Sequence, residues 1–568
     1  MRTRLAAILS VVVLGGCASI PSSGPVERVA DDGGLDQSTV RYAPVGPPRD
    51  ASPQQIVRGY LDAMLAYPVS TGTAALYLTQ DAAEEWRSSS GVTVYTAPEV
   101  TLQGGEQPGA AEVEVDLRVD EVARLDRQGR YTRSSADPPR VYRLEQVDGQ
   151  WRITNPQLGV MLTRTYFDDY FRPFPLYFFD QPGSRLVPEL VHLAVGEQLP
   201  TGLVTALARG PGRGSAFRTY VPGAGTLRPS VTVSDDVADV EFSAPLTQLS
   251  ERQRERLAAQ VVWTLRGVPD LNGVRIIGGG TAILSSRGER VHPIESWGGF
   301  GPPLRGGSTY AIVEDRLVEL EGASVRPVAG AWGSDAGGAV EAAVSDEAIA
   351  AVMGDRDLVR ITDRAGRGAR DVTGSRFLAP RWDRDDRLWL LDRSGPTTRV
   401  RVVERNRTRT LPAGGLDGLG VQSFALSPDG GRYAVATAGR RGAVHVGTVR
   451  RDADDRVTGL GTPRRLAIDV DAPRSVVWVS PTRIEMLGAS RAGVQRFEVA
   501  LDGTDLVGGD TGVGPLLPDV DARELAGRND RQSSRWLLDD ERRLWHRPPD
   551  GAWRLVDERS FSGLSTGD

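Results

Sequence analysis

The sequence predicts a multi-domain chain in which two α+β domains are followed by an all-β propeller of about six blades. Three observations lead there. Residues 51–165 read as helices followed by alternating strands, and residues 185–285 run helix, strand, strand, helix, strand. Beyond residue 305 the chain becomes a series of short strands with turn residues between them and weak internal repetition. With 568 residues, 40% hydrophobic and 25% charged, it is long enough to bury several separate cores.

The leader comes first. In MRTRLAAILSVVVLGGC, Arg2 and Arg4 precede an apolar run from Leu5 to Leu14, and the small residues Gly15 and Gly16 precede Cys17. This is the order of a secretory signal. At roughly ten residues the run is well short of the ~20 that a permanent membrane helix needs. Leu14-Gly15-Gly16-Cys17 resembles the lipobox of bacterial lipoproteins. The resemblance implies that the Cys17 thiol receives a diacylglycerol and that, after cleavage, its amine is palmitoylated. Cys17 is the only cysteine in the chain, so neither a disulfide within the chain nor a cysteine zinc site is available. The expected location is the extracytoplasmic face of the cell membrane, with the membrane itself as a partner through that lipid. Residues 18–50, rich in Pro, Gly, Ser and Asp, read as a flexible tether with a reach on the order of 30 Å.

Residues 51–184 are expected as the first folded domain. Ser52-Pro53-Gln54-Gln55 offers an N-cap, a proline at the first helical position and a capping-box glutamine. A helix follows with Ile56, Tyr60, Leu61, Met64 and Leu65 on one face, then a second over TAALYLTQDAAEEWR. Val113, Val115, Leu117 and Val119 alternate as a strand, and YRLEQVDGQWRI predicts a hairpin turning at Asp148-Gly149. This pattern resembles the nuclear-transport-factor-2-like cone. Trp86, Tyr95 and Trp151 suit either a filled core or a pocket. Residues 163–180, TRTYFDDYFRPFPLYFFD, hold eight of the chain's 25 Phe and Tyr residues. They read as an interdomain seam, a strand of the next domain or an exposed docking strip.

Residues 185–300 form the second domain. LVTALARGPG ends a helix at Gly210-Pro211, VTVSDDVADVEFS turns near Asp235-Asp236, and Ser250 to Gln253 have capping-box spacing. The helix that follows presents Leu257, Val261 and Leu265 beside Ala258 and Val262. With the closing strand VRIIGGG, this order resembles the GerMN domain of sporulation and envelope proteins. That family brings no catalytic residues to transfer. Trp263 reads as core or as a pocket wall.

Residues 301–560 are expected as the propeller, with 561–568 as a disordered tail. The landmarks Ser345, Asp383, Ser427, Ser480 and Asp539 lie 38, 44, 53 and 59 residues apart, a spacing that suits four-stranded blades. A strand from the chain's end would complete the first blade and hide both edges. A pair of β-sandwiches is the competing architecture.

Composition excludes several chemistries. There is no lysine, so Schiff-base and P-loop ammonium mechanisms are out, and a net charge of −6 gives no basic excess for nucleic acid. Asp383 to Asp386 and Asp539 to Glu541 read as solvated turns rather than calcium loops. His192, His292, His445 and His546 are too scattered for a metal or catalytic motif. No catalytic residue, metal site or cofactor is expected. Lipobox, cone, GerMN domain and propeller in this order resemble the LpqB-type lipoproteins of actinobacteria. The resemblance implies a non-catalytic accessory that binds the extracytoplasmic domain of an MtrB-type sensor histidine kinase and modulates two-component signalling in cell envelope and division. A carrier for a small envelope ligand or lipid would instead show a large apolar cavity, and a propeller-borne hydrolase would show carboxylates converging in the channel.

Overall fold

The structure, a computed structural model, describes residues 44–567 except 106–108, 137, 213–214, 222–228, 244, 286, 304–306, 406, 440–441, 492, 509–516, 518–519 and 528–532. Cys17, the leader and the tether up to residue 43 lie outside the described residues. All described residues fall within one compact unit, Thr39–Asp568.

The first domain wraps helices on a twisted sheet. Helix α1 (Pro53–Ala63) starts from the expected capping box, with Ser52 and Gln55 capping each other's backbone N–H. The second expected helix divides into α2 (Gly72–Ala75) and α3 (Gln80–Glu85). It breaks because the backbone between them is drawn to the sheet. Thr79 donates its N–H to the Ile153 carbonyl at 3.0 Å, Ile153 donates to Tyr77 at 2.9 Å, and the Thr79 hydroxyl caps α3. The strands are β1 (Val92–Leu102), β2 (Glu112–Leu125), β3 (Tyr131–Arg133), β4 (Arg140–Val147), β5 (Gln150–Ile153) and β6 (Val160–Thr163). They lie in the order β5-β4-β2-β1-β6, with β3 on β2; only the β1–β6 pair is parallel. Asp148 (φ 50°) and Gly149 (φ 73°) form the β4–β5 turn, as the sequence predicts. Tyr60 is fully buried between Trp86 and Tyr142, with ring centroids 5.7 and 6.1 Å away. Tyr95 joins this core, and Trp151 packs half-buried against it.

The aromatic segment belongs to two cores. Helix α4 (Arg164–Tyr170) and Phe171 close the first, while β7 (Phe171–Phe179) turns Phe174, Leu176 and Phe178 into the second. The second domain therefore begins near residue 171 rather than at 185, because strand alternation aims those side chains at its helices. Strand β7 pairs antiparallel with β8 (Leu186–Ala194). Behind this ribbon lie α5 (Leu199–Ala208), α6 (Glu251–Leu265) and a sheet of β9 (Ser230–Ser234), β10 (Val237–Phe242) and β11 (Gly273–Gly278). Ser250 and Gln253 form the capping box of α6, and its expected apolar face is buried throughout. Trp263 is a core residue, stacked edge-on to Tyr177 and donating its indole N–H to the Trp297 carbonyl at 3.1 Å.

Six sheets, each built on four strands, then form a propeller rather than two sandwiches. The described residues 561–567 are not a disordered tail. Phe561–Thr566 is the innermost strand of blade one, antiparallel to Thr309–Val313 and packed between the inner strands Ala339–Val344 and Ala522–Gly527 of blades two and six. Phe561 and Leu564 are apolar and buried there, which a tail could not sustain. The landmark spacing also resolves. Ser345, Asp383, Ser427 and Ser480 stand at turns between first and second strands, whereas Asp539 ends the second strand of blade six.

Candidate functional site

Two features of the folded body concentrate charge: the junction of the second domain with the propeller, and the propeller channel. At the junction the decisive residue is Arg185. It follows a turn in which Gly183 adopts φ 74° and the Asp180 carboxylate accepts the backbone N–H of Ser184 and Arg185. The buried guanidinium then reaches two propeller turns. It grips Asp455 of blade four with both terminal nitrogens, at 2.6 and 2.8 Å, and Asp385 of blade three at 2.6 Å. Burial opposes the Arg185 charge, but Asp455 and Asp385 outweigh it and hold the guanidinium above its ordinary value. Burial likewise opposes ionisation of Asp385, while Arg185, Arg451 and Arg387 reverse the balance and bring its carboxyl below the usual range.

The Asp383–Asp386 turn is thus part of an interdomain ion network, not a solvated hairpin or a cation loop. Asp383 is buried and accepts the Trp389 indole N–H at 3.0 Å. Asp539 makes the equivalent bond to Trp545 at 2.9 Å, with Arg543 at 2.8 Å.

The histidines remain separate. His192 bonds Asp502 of blade five at 2.9 Å, stacks on Phe167 and lies tilted against Tyr131. His292 meets the Ile283 carbonyl at 3.2 Å, and burial holds it, His445 and His546 below their ordinary values. Among the described residues no group of three or more His, Cys, Asp or Glu could hold a metal ion.

These links share a side. Arg185, His192, the Arg384 bond to the Gly301 carbonyl and the contact of Val187 with Gly431 all involve turns joining first to second or third to fourth strands. Arg133 adds a pair to Asp469 on the flank of blade four, at 2.7 Å. In the sequence the acidic turn at 383–386 stands out, but neither the turn at 452–455 nor the arginine that joins the two does.

In the channel, Glu341 and Glu524 stand on the inner strands that flank Phe561–Thr566. Glu341 is paired to Arg356 at 2.6 Å. Glu524 accepts the Leu564 N–H at 2.8 Å; burial, reinforced by the charge of Glu341, pushes its pKa up to about 7. A cavity of about 70 Å³ lined by Arg381, Trp382, Trp478 and Ser565 lies at the channel. Pockets that enclose small-molecule substrates are typically about 300–1,000 Å³. The two glutamates do not line that cavity: Glu341 is committed to Arg356 and Glu524 to the Leu564 N–H.

Three family profiles match the chain in series. The N-terminal domain of lipoprotein LpqB matches residues 46–168, the Germane family of sporulation and spore germination matches 175–283, and the LpqB β-propeller domain matches 315–559. The chain belongs to the LpqB lipoprotein family. The LpqB lipoprotein of Cutibacterium acnes is 27% identical over 98% of each chain. That of Thermobifida fusca is 28% identical over 88% of this chain and 90% of its own. Among solved structures, a chain of the nidogen/laminin complex is similar over 46% of this chain and 98% of its own, with a TM-score of 0.34 and 9% identity. Within the LpqB family these matches assign the domains on either side of the Arg185 junction to different profiles, Germane before it and propeller after it.

Proposed function

We propose that this lipoprotein is held on the outer face of the cytoplasmic membrane by lipid on Cys17 and acts without catalysis. Its partner is the extracytoplasmic domain of an MtrB-type sensor histidine kinase, whose signalling to envelope and division genes it modulates. The observation that carries the reading is the one-sided junction. The second domain occupies one rim of the propeller, so the other rim, bearing the turns between second and third strands, is left to a partner. A filled cone core, with Tyr60, Trp86 and Tyr142 in mutual contact, speaks against a lipid carrier built on the first domain.

The test is photo-crosslinking of the anchored protein in its native membrane, with mass spectrometry of the products and a Cys17→Ala control. Because the chain has no lysine, the crosslinker must be photoactivated or carboxylate-directed. Capture of a sensor kinase's outer domain, dependent on Cys17 and mapped to the free rim, supports the proposal. Recurrent capture of other partners, or of lipid alone, overturns it.

A further inference from the structure

Where the three domains meet, a cleft of about 620 Å³ opens between β3, β8 and blades four and five. Most charges on its walls are already satisfied. Arg130 bonds Glu189 at 3.1 Å and the Gly210 carbonyl at 3.1 Å. Glu189 also accepts the Gly212 N–H and the Ser215 hydroxyl. Asp502 is taken by His192 and Thr504, and Arg133 by Asp469.

Arg432 and Arg464 differ. Arg432 starts the second strand of blade four, is only 8% exposed, and lies over the Phe217 ring at 4.8 Å. Its Nη1 is buried without a hydrogen-bond partner. Arg464, on the fourth strand of the same blade, gives Nη2 to the Leu501 carbonyl at 3.0 Å. Neither arginine is ion-paired among the described residues. Burial holds Arg432 below its ordinary value, Asp429 and Glu189 oppose that, and the charge of Arg464 adds to it, so the two guanidinium groups are close enough to repel. Two like charges without ion-pair partners on one cleft wall are costly, and an anion held between them removes their repulsion.

We infer that this cleft binds a small organic oxyanion, a phosphate ester or carboxylate, clasped by Arg432 and Arg464. The guanidinium fork suits either group. Thr448 and Thr462 line the same space, while Phe217, Tyr131 and Leu501 supply walls for the organic part. The volume is in the ordinary range for such ligands. The site is independent of the kinase reading, since it lies on the occupied side of the propeller.

The experiment is calorimetric titration of the full-length chain in a non-ionic detergent with glycerol 3-phosphate and with succinate. We expect saturable binding of one or both at a single site. Arg464→Gln, an exposed substitution that leaves the fold intact, weakens it about tenfold or more, and Arg316→Gln on blade one leaves it unchanged. Arg432→Gln has the same effect wherever it folds. Competition with phosphatidylglycerol vesicles, and not with phosphatidylcholine vesicles, identifies a lipid headgroup as the source; no competition identifies a soluble anion. Absence of saturable binding by both probes, or affinity unchanged in Arg464→Gln, overturns the inference.

Discussion

Replacing Glu524 by Gln tests the channel electrostatics most directly. The carboxyl lies beside the C-terminal strand that closes the ring, accepts the Leu564 N–H, and faces Glu341, Arg356 and Arg381. In the unfolded chain this glutamate loses its proton near its ordinary value of 4.5; in the fold it keeps it until about 7. The folded state therefore binds the proton more tightly. Its stabilisation is full below about 4.5 and is lost as pH rises through 7. At ~1.4 kcal/mol for each tenfold change in proton affinity, the interval sets a loss of about 3 kcal/mol. Glutamine keeps an oxygen for the Leu564 N–H and carries no charge, so the variant escapes that loss. Thermal melts followed by tryptophan fluorescence are expected to coincide with wild type near pH 5. At pH 8 the variant should melt roughly 6–12 °C higher for a propeller of this size. A gap between variant and wild type that is the same at pH 5 and pH 8 would refute the reasoning.

Three further outcomes are expected. Arg185→Ala leaves Asp455 and Asp385 facing each other across the junction, costs about 3–5 kcal/mol, and should split the calorimetric transition in two; Arg185→Lys does not restore it, since one ammonium cannot make the two-pronged grip on Asp455. Deleting residues 561–568 removes the inner strand of blade one with Phe561 and Leu564, so the propeller should become protease-sensitive and bind a hydrophobic dye, whereas an unchanged melting curve would contradict the strand's role. Cys17→Ala should move the protein from the detergent to the aqueous phase, or leave it as unprocessed precursor, and abolish palmitate labelling.

The parts of the fold written in local chemistry were readable from the sequence. Ser52 and Ser250 announced helix starts because a capping box joins each of two residues three apart, side chain to backbone N–H, and Asp148-Gly149 announced a hairpin because both positions need positive φ. The family domains follow the same local patterns. What stayed hidden was long-range. The break at Thr79 depends on a strand 74 residues later, at Ile153, and the aromatic segment divides between two cores only because α4 ends at Tyr170. Residues 561–568 read as a disordered tail because Ser562 and Gly563 separate the two apolar anchors and Ser565 follows them, and their burial depends on blades two and six. Arg185 had no local signal at all, since its partners lie 200 and 270 residues away.

The junction also constrains how a partner can be recognised. With one rim engaged by Arg185, His192 and Arg384, the opposite rim is the face proposed for a protein partner, and among the described residues several of its turns between second and third strands are short. Glu314, Asp315, Arg356 and Arg542 all adopt positive φ, between 50° and 67°, in tight connections between second and third strands. Such turns have little conformational freedom to lose on binding, so an interface built on them starts preorganised and keeps more of its contact energy as affinity. The Arg185 network holds the Germane domain against blades three and four. Weakening the network should therefore leave affinity for a rim-bound partner unchanged, while loosening the link between that partner and the domains nearest the tether.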